Sequence, residues 1–397
     1  MTRNQRGFTL VELMITMLIF VIAIAAASNM LTGLLSQFKQ QSKIAESNVE
    51  GVVGLEMLRR DLEIAGSGLP WQVPDLNASG VPNESADWQA LTNYVEAADD
   101  GDTPWDDTVY NDADSNPPRA FVIGQPAVGE GFQTDAANQT SDVVVVKAAD
   151  ISLNQAVRRW SYIANTGGLP NALRSWGDAA EDPANKDRVI VINPERGARR
   201  GILMTNGGTF FTTVDDSSHS FTSHSAAASA FEPTTNSYAS FLVYGISGPD
   251  AANPNLRLPF NRADFYVRRP VAGMPTRCEP HTGILYKGVI NQSDGIHTEL
   301  PLLDCVGYLR AQAVFDPLND GNLVAEGPVS AGRDNALSLR LIKQIRVYIV
   351  AQEGQRDPSY QQTPNTINIP DGTVFTVPDV NYRWKLYTIV VTPTSLR

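Results

Sequence analysis

The stretch RGFTLVELMI, Arg6 to Ile15, opens a chain that is far more polar elsewhere. Seventeen of the twenty residues from Phe8 to Ala27 are apolar, yet Glu12 sits inside that run. A helix of about 20 residues rises ~30 Å, the thickness of a bilayer's hydrocarbon core. Arg3 and Arg6 precede the segment without an acidic neighbour. The positive-inside rule therefore keeps the first residues cytoplasmic and exports the remainder. Three readings fit: a plain membrane anchor, a cleaved secretory signal, or a segment that needs its carboxylate.

The secretory reading has a cleavage-like site, Ala25-Ala26-Ala27 before Ser28. The residues after Ser28 argue against it. Leu31, Leu34, Leu35, Phe38, Ala45, Val49, Val52, Leu55 and Leu62 recur at three- and four-residue steps, an amphipathic pattern that continues without a break. No proline intervenes before Pro70, and Gly66-Ser67-Gly68 supplies the stop. The pattern predicts one helix over residues 9–65, ~85 Å long at 1.5 Å per residue. Residues 8–28 form its apolar half and 29–65 its one-sided half. A signal peptide has no reason to run seamlessly into such a helix.

A carboxylate near the middle of a membrane helix costs ~2.5–3.5 kcal/mol, less toward an end, and such groups are usually paired. The next basic residue along the chain is Lys39, so the partner is expected from another chain or from a newly freed amine. Gly7 followed by Phe8-Thr9-Leu10-Val11-Glu12 closely resembles the type IV prepilin signature. In that family a prepilin peptidase cuts after the glycine and methylates the new N-terminus. The resemblance implies a leader of residues 1–7, cleavage between Gly7 and Phe8, and a mature chain starting at N-methyl-Phe8. It also implies that Glu12 of one subunit pairs with the Phe8 amine of a neighbour when helices pack into a filament. In low dielectric such a pair is strongly favoured over either charge alone. The inner membrane would hold the chain, with a periplasmic head, until assembly carries it into an extracellular pilus.

The remaining sequence has a globular composition, with 42 % hydrophobic and 19 % charged residues in a chain of 397. A net charge of -12 argues against nucleic acid, which demands clustered Lys and Arg. The short basic run Arg196-Gly197-Ala198-Arg199-Arg200 reads as a solvated turn. Cys278 and Cys305 are the only cysteines, and in an exported body they are expected to form a disulfide; two buried thiols are the alternative. Residues 66–120 read as an elaborated loop with eight acidic residues between Glu96 and Asp114, punctuated by Trp71, Trp88 and Trp105, which argue that it packs on the body.

Residues 121–397 alternate strand-like runs with turns. Val143-Val144-Val145-Val146 reads as a strand buried on both faces. Ile345, Val347 and Ile349 alternate with Gln344, Arg346 and Tyr348, as in a strand with one wet face. The expected fold is α+β: a long N-terminal helix on a large antiparallel β-rich head. In order, SDVVVVKAADISL, GILYKGVI, LPLLDCVGYLRAQAVFD, IKQIRVYIVAQEG and YRWKLYTIVV are similar to the PilW family of minor pilins. That similarity implies co-assembly with other minor pilins and a major pilin, and help in initiating a type IV pilus near its tip, where a tip adhesin is a candidate neighbour. The J-type pseudopilin of type II secretion shares the architecture but is usually shorter. Many major pilins carry a mid-helix proline; here Gly33 is the nearest soft point.

Candidate chemistry is sparse. Asp112, Asp114 and Asn116 have the opening spacing of a calcium loop, but Pro117 and Ile123 stand where an EF-hand needs glycine and glutamate. A looser calcium site there competes with a solvated acidic loop; no other cofactor is expected. Asp316, Asn319, Asp320 and Asn322 form a second oxygen-rich patch whose Asn-Asp-Gly core reads as a turn. His219 and His224 lie in a Ser/Ala-rich stretch without a nearby cysteine, so zinc is not expected. No nucleophile elbow, Walker loop or dinucleotide fingerprint is present, and no enzyme is expected. Outside filament assembly, the competing function is a membrane-anchored periplasmic binding domain that never polymerises.

Overall fold

One helix, Leu10–Glu63, runs for 54 residues and passes Gly33 without interruption. At 1.5 Å per residue it is ~80 Å long. Its first part, Leu10–Thr32, has a mean hydropathy of 2.6 and none of it is buried. Leu31, Leu34, Leu35 and Phe38 are exposed as well. Among the described helix residues the body first covers Gly51, and there the seat is Gly51, Gly54, Leu55, Leu58 and Leu62. Val52, assigned by its spacing to the covered stripe, is 65 % exposed and points away. Glycine decides the approach: a Cβ on Gly54 would lie 1.9 Å from the Leu302 carbonyl oxygen. Two left-handed glycines, Gly66 (φ 83°) and Gly68 (φ 64°), then turn the chain away, a conformation that L side chains resist.

The computed structural model describes residues 9–70, 94–99, 101, 105–112, 118–126, 132–133, 140–165, 171–194, 201–206, 208–215, 220–221, 228–233, 240–316, 320–326 and 342–394. Most described strands belong to one antiparallel sheet. Its spatial order is Phe121–Gly124, Val143–Ala148, Asn261–Arg268, Gly283–Ile290, His297–Phe315, Ile342–Glu353 and Arg383–Val391, with Val324–Glu326 also on the long fifth strand. A second antiparallel sheet has the order Trp160–Ala164, Ser240–Ser247, Arg188–Pro194, Thr212–Asp215 and Ser220–Phe221, with Gly201–Leu203 also on Arg188–Pro194. A hairpin, Thr366–Asn368 with Val374–Thr376, completes the described strands. The fold is α+β, as expected.

Strand alternation sorts the core. Val144 and Val146 face the helix with Leu58, Leu62, Leu309 and Val347, and the second sheet adds Ile190, Ile192 and Ile246 to that cluster. Val143 and Val145 face the opposite way, under Trp105, Tyr110 and Tyr266. The four-valine run is thus buried on both sides. Trp105 packs edge-on against Tyr266 at 5.0 Å, so this part of the acidic segment is held to the body. Trp71 and Trp88 lie outside the described residues. Tyr348, expected on a wet face, is buried instead, because the C-terminal hairpin covers it with Phe375 and Ile369. Cys278 and Cys305 form a disulfide with Cα atoms 5.0 Å apart, tying the loop before Gly283–Ile290 to the adjacent long strand.

Candidate functional site: the N-terminal helix and its seat

Thr9 is the N-cap of the helix, in extended backbone with φ −76° and ψ 149°. Glu12 stands at the third helical position and completes a capping box. The Glu12 backbone N–H donates to Thr9 Oγ1 at 3.2 Å, while Glu12 Oε2 accepts from the Thr9 backbone N–H and Oγ1, each at 3.0 Å. The carboxylate also sits at the positive end of the helix dipole. Glu12 therefore has a partner on its own chain, which a search along the sequence for basic residues does not reveal. Both oxygens remain at the exposed end of the helix, where a cation from another chain can approach. Gly7 and Phe8, the expected cleavage and methylation residues, lie outside the described residues.

A family model described as the prokaryotic N-terminal methylation motif matches residues 2–28, spanning the basic leader, the capping box and the first turns of the exposed helix. The chain is type IV pilin-like. No curated protein matches it. Among solved structures, it is similar to a type IV-like pilin from Thermus thermophilus at 15 % identity, over 38 % of this chain and 82 % of that one, with a TM-score of 0.20. The motif implies processing by a prepilin peptidase and assembly with other pilins, and the apolar helix is consistent with membrane anchoring.

In this pilin-like chain the acidic segment is not simply a solvated loop. Lys147 has no exposed side-chain surface and lies 2.7 Å from Glu96 Oε2 and 2.5 Å from Asp112 Oδ2. Arg119 takes the other Asp112 oxygen at 2.5 Å. Both Asp112 oxygens are thus paired with cations of the chain itself; Asp114 and Asn116 lie outside the described residues. Burial pushes the Asp112 carboxyl up, but Lys147 and Arg119 outweigh that and lower it. For Glu96 burial wins over the attraction of Lys147, and its carboxyl is raised. Asp316 accepts from the Asp320 and Gly321 backbone N–H groups, the bonds of a turn, while Asn319 lies outside the described residues. His219 and His224 fall outside the described residues.

A second layer of charge lies beside the first. Arg262 grips Asp264 through two bonds of 2.8 and 2.7 Å and reaches Asn111 Oδ1 at 2.6 Å. His297 stands between two carboxylates, with Nε2 3.2 Å from Asp264 and Nδ1 3.5 Å from Asp107. Asp107, Asp264 and His297 bring atoms of metal-ligating type within 4.8 Å of one another. The Arg262 guanidinium already fills the cationic position beside Asp264, so the arrangement works as a salt-bridged clasp. Sequence reasoning missed this clasp, although its signal was present: Lys147 ends a run of four valines, and Arg262 and Asp264 alternate inside a strand. Charges in such runs are seldom buried unless paired.

Proposed function

We propose that this chain is a minor pilin, similar to the PilW family, which enters a type IV pilus in few copies near its tip and helps to initiate it. The observation that carries the reading is a capped, unburied apolar helix, Leu10–Thr32, behind a methylation motif and joined to a body that seats the helix at Gly51 and beyond. An apolar surface of that length requires a lipid or helical partner, and pilin assembly supplies both in turn. The prepilin peptidase would remove residues 1–7, and Phe8 would carry the methyl group. The inner membrane would hold the helix, with the head in the periplasm, until other minor pilins and the major pilin take it up. The role is structural.

The test is recovery of the mature protein from mechanically sheared extracellular filaments, followed by N-terminal sequencing. The expected product begins with N-methyl-Phe8. A mature chain beginning at Ser28, or a processed chain confined to the membrane fraction, would sink the proposal. The latter would favour the non-polymerising binding domain. Recovery in filaments built only when a type II secretion system is expressed would favour the pseudopilin.

A further inference from the structure

Where the helix ends, the loop Asp150–Leu153, the start of strand Trp160–Ala164 and strand Gly283–Ile290 enclose a cleft of about 650 Å³. That volume falls inside the roughly 300–1,000 Å³ range of small-molecule sites. Three observations describe what would fit. Trp160 lines the cleft and is 43 % exposed, and Trp176, 38 % exposed, stands against it with ring centroids 4.8 Å apart. The Trp176 indole N–H donates to the Trp160 carbonyl at 2.7 Å, which fixes the pair as a rigid aromatic platform. Exposed large aromatics held this way are costly unless they meet a partner.

The charges lining the cleft balance: Arg60, Arg158 and Lys287 face Asp61, Asp150 and Glu181. Lys287 and Asp61 already pair at 2.6 Å. A charged ligand of either sign would meet a like charge, whereas a hydroxyl both donates and accepts and can use both kinds. Finally, Asp150 lines the cleft, and burial pushes its carboxyl above the usual carboxylate range, which suits an uncharged hydrogen-bonding partner over a cation.

We propose that this cleft binds an uncharged saccharide, one flat pyranose face stacked on Trp160 and a hydroxyl or acylamide N–H donated to Asp150. The platform contributes apolar area without rotamer entropy, while the guanidinium groups of Arg60 and Arg158 reach ring oxygens at the mouth. Such binding is independent of where in a filament the chain sits.

The test uses the full chain in a detergent without a sugar headgroup, titrated calorimetrically with cellotetraose, chitotetraose and lactose. Spermidine and inorganic phosphate serve as charged probes. At least one saccharide is expected to bind with a dissociation constant below about 1 mM. Trp160→Ala should weaken it about tenfold or more, and Asp150→Asn several-fold, as expected for a stacking anchor and a polar contact. Arg158→Ala, at the exposed mouth, supplies a third variant that leaves the core untouched. No heat with any of the three saccharides, affinity unchanged in a folded Trp160→Ala or Arg158→Ala chain, or tighter binding of spermidine or phosphate would overturn it.

Discussion

Among single residues, Glu12 does two things that one substitution cannot separate and two can. It caps its own helix through Thr9, and in the proposed filament it would offer a carboxylate to a neighbouring chain. Glutamine at this position keeps the capping acceptor but loses the charge, whereas alanine loses both. Removing the charge also relieves an insertion cost of ~2.5–3.5 kcal/mol or less, so both variants should sit more comfortably in lipid. If pairing with the Phe8 amine of a neighbour drives assembly, Glu12→Gln and Glu12→Ala should both be cleaved normally and both fall roughly tenfold in sheared filaments, a change worth ~1.4 kcal/mol. Quantitative immunoblotting of sheared and membrane fractions measures it. Normal incorporation of Glu12→Gln would leave capping as the sole role. His297 is the other telling residue. Burial alone would lower its pKa, but the hydrogen bond and charge of Asp264, with Asp107 behind, outweigh that and the opposing Arg262, and raise it above 6.5. A group raised in the folded state contributes stability that is complete below its unfolded pKa and is lost as pH rises through the folded one. Thermal melts across the range from about pH 5 to 9 should therefore show stability falling on the alkaline side of about 6.5, and His297→Gln should flatten that fall. Equal slopes in the two proteins would remove His297 as the cause.

Between helix and head, the joining contact is set by a missing side chain. Alanine at position 54 would gain up to ~1 kcal/mol of helix propensity over glycine. Its Cβ, however, would meet the Leu302 carbonyl carbon at 2.6 Å as well as the oxygen, and backbone cannot rotate aside. Overpacking of this kind costs ~1–3 kcal/mol or more, so the clash wins. Gly54→Ala should lower the thermal midpoint by several degrees, while Val53→Ala, on an exposed position, should leave it nearly unchanged. Differential scanning calorimetry of the two variants in the same detergent decides it. Much of this architecture was legible beforehand. The helix was readable because apolar spacing, the absence of proline and the glycine stop agreed, and Val143–Ala148 because four consecutive valines suit a strand covered on both faces. Trp160–Ala164, Thr366–Asn368 and Val374–Thr376 were missed: they are short, polar or flanked by turns, and their pairing is decided by the tertiary context. The helix's one-sided stripe was misplaced at Val52 because the close approach depends on Gly51 and Gly54, which spacing rules do not score. The clasp around Lys147 and Arg262 was hidden for a related reason, since a bond such as Lys147 to Glu96, 51 residues apart, is a property of the folded sheet.

For the whole molecule, the proportions decide where such a subunit can sit. About 330 residues follow the helix, which gives a radius of gyration of ~20 Å for a compact body, against ~14 Å for a head of about 130 residues. The second sheet, the described part of the acidic segment and the C-terminal hairpin add to this bulk, and all three are packed on the main sheet through Ile190, Trp105 and Phe375. They cannot fold away to make room. When apolar helices pack side by side, the heads share one crowded outer layer, and a head ~1.4 times wider in each direction would collide with copies of itself. An end of the filament lacks neighbours on one side and accommodates the excess. Glu96, Asp107 and Asp112 are used internally, so the acidic surface left exposed is narrower than the acid count implied and includes Asp99 and Asp106. Immunogold against the head should therefore label filament ends at one or a few particles each, and labelling should survive when the major pilin is overproduced. Gold spread along the shaft at major-subunit density would mean that the heads do pack in a continuous layer, and the size argument would fail.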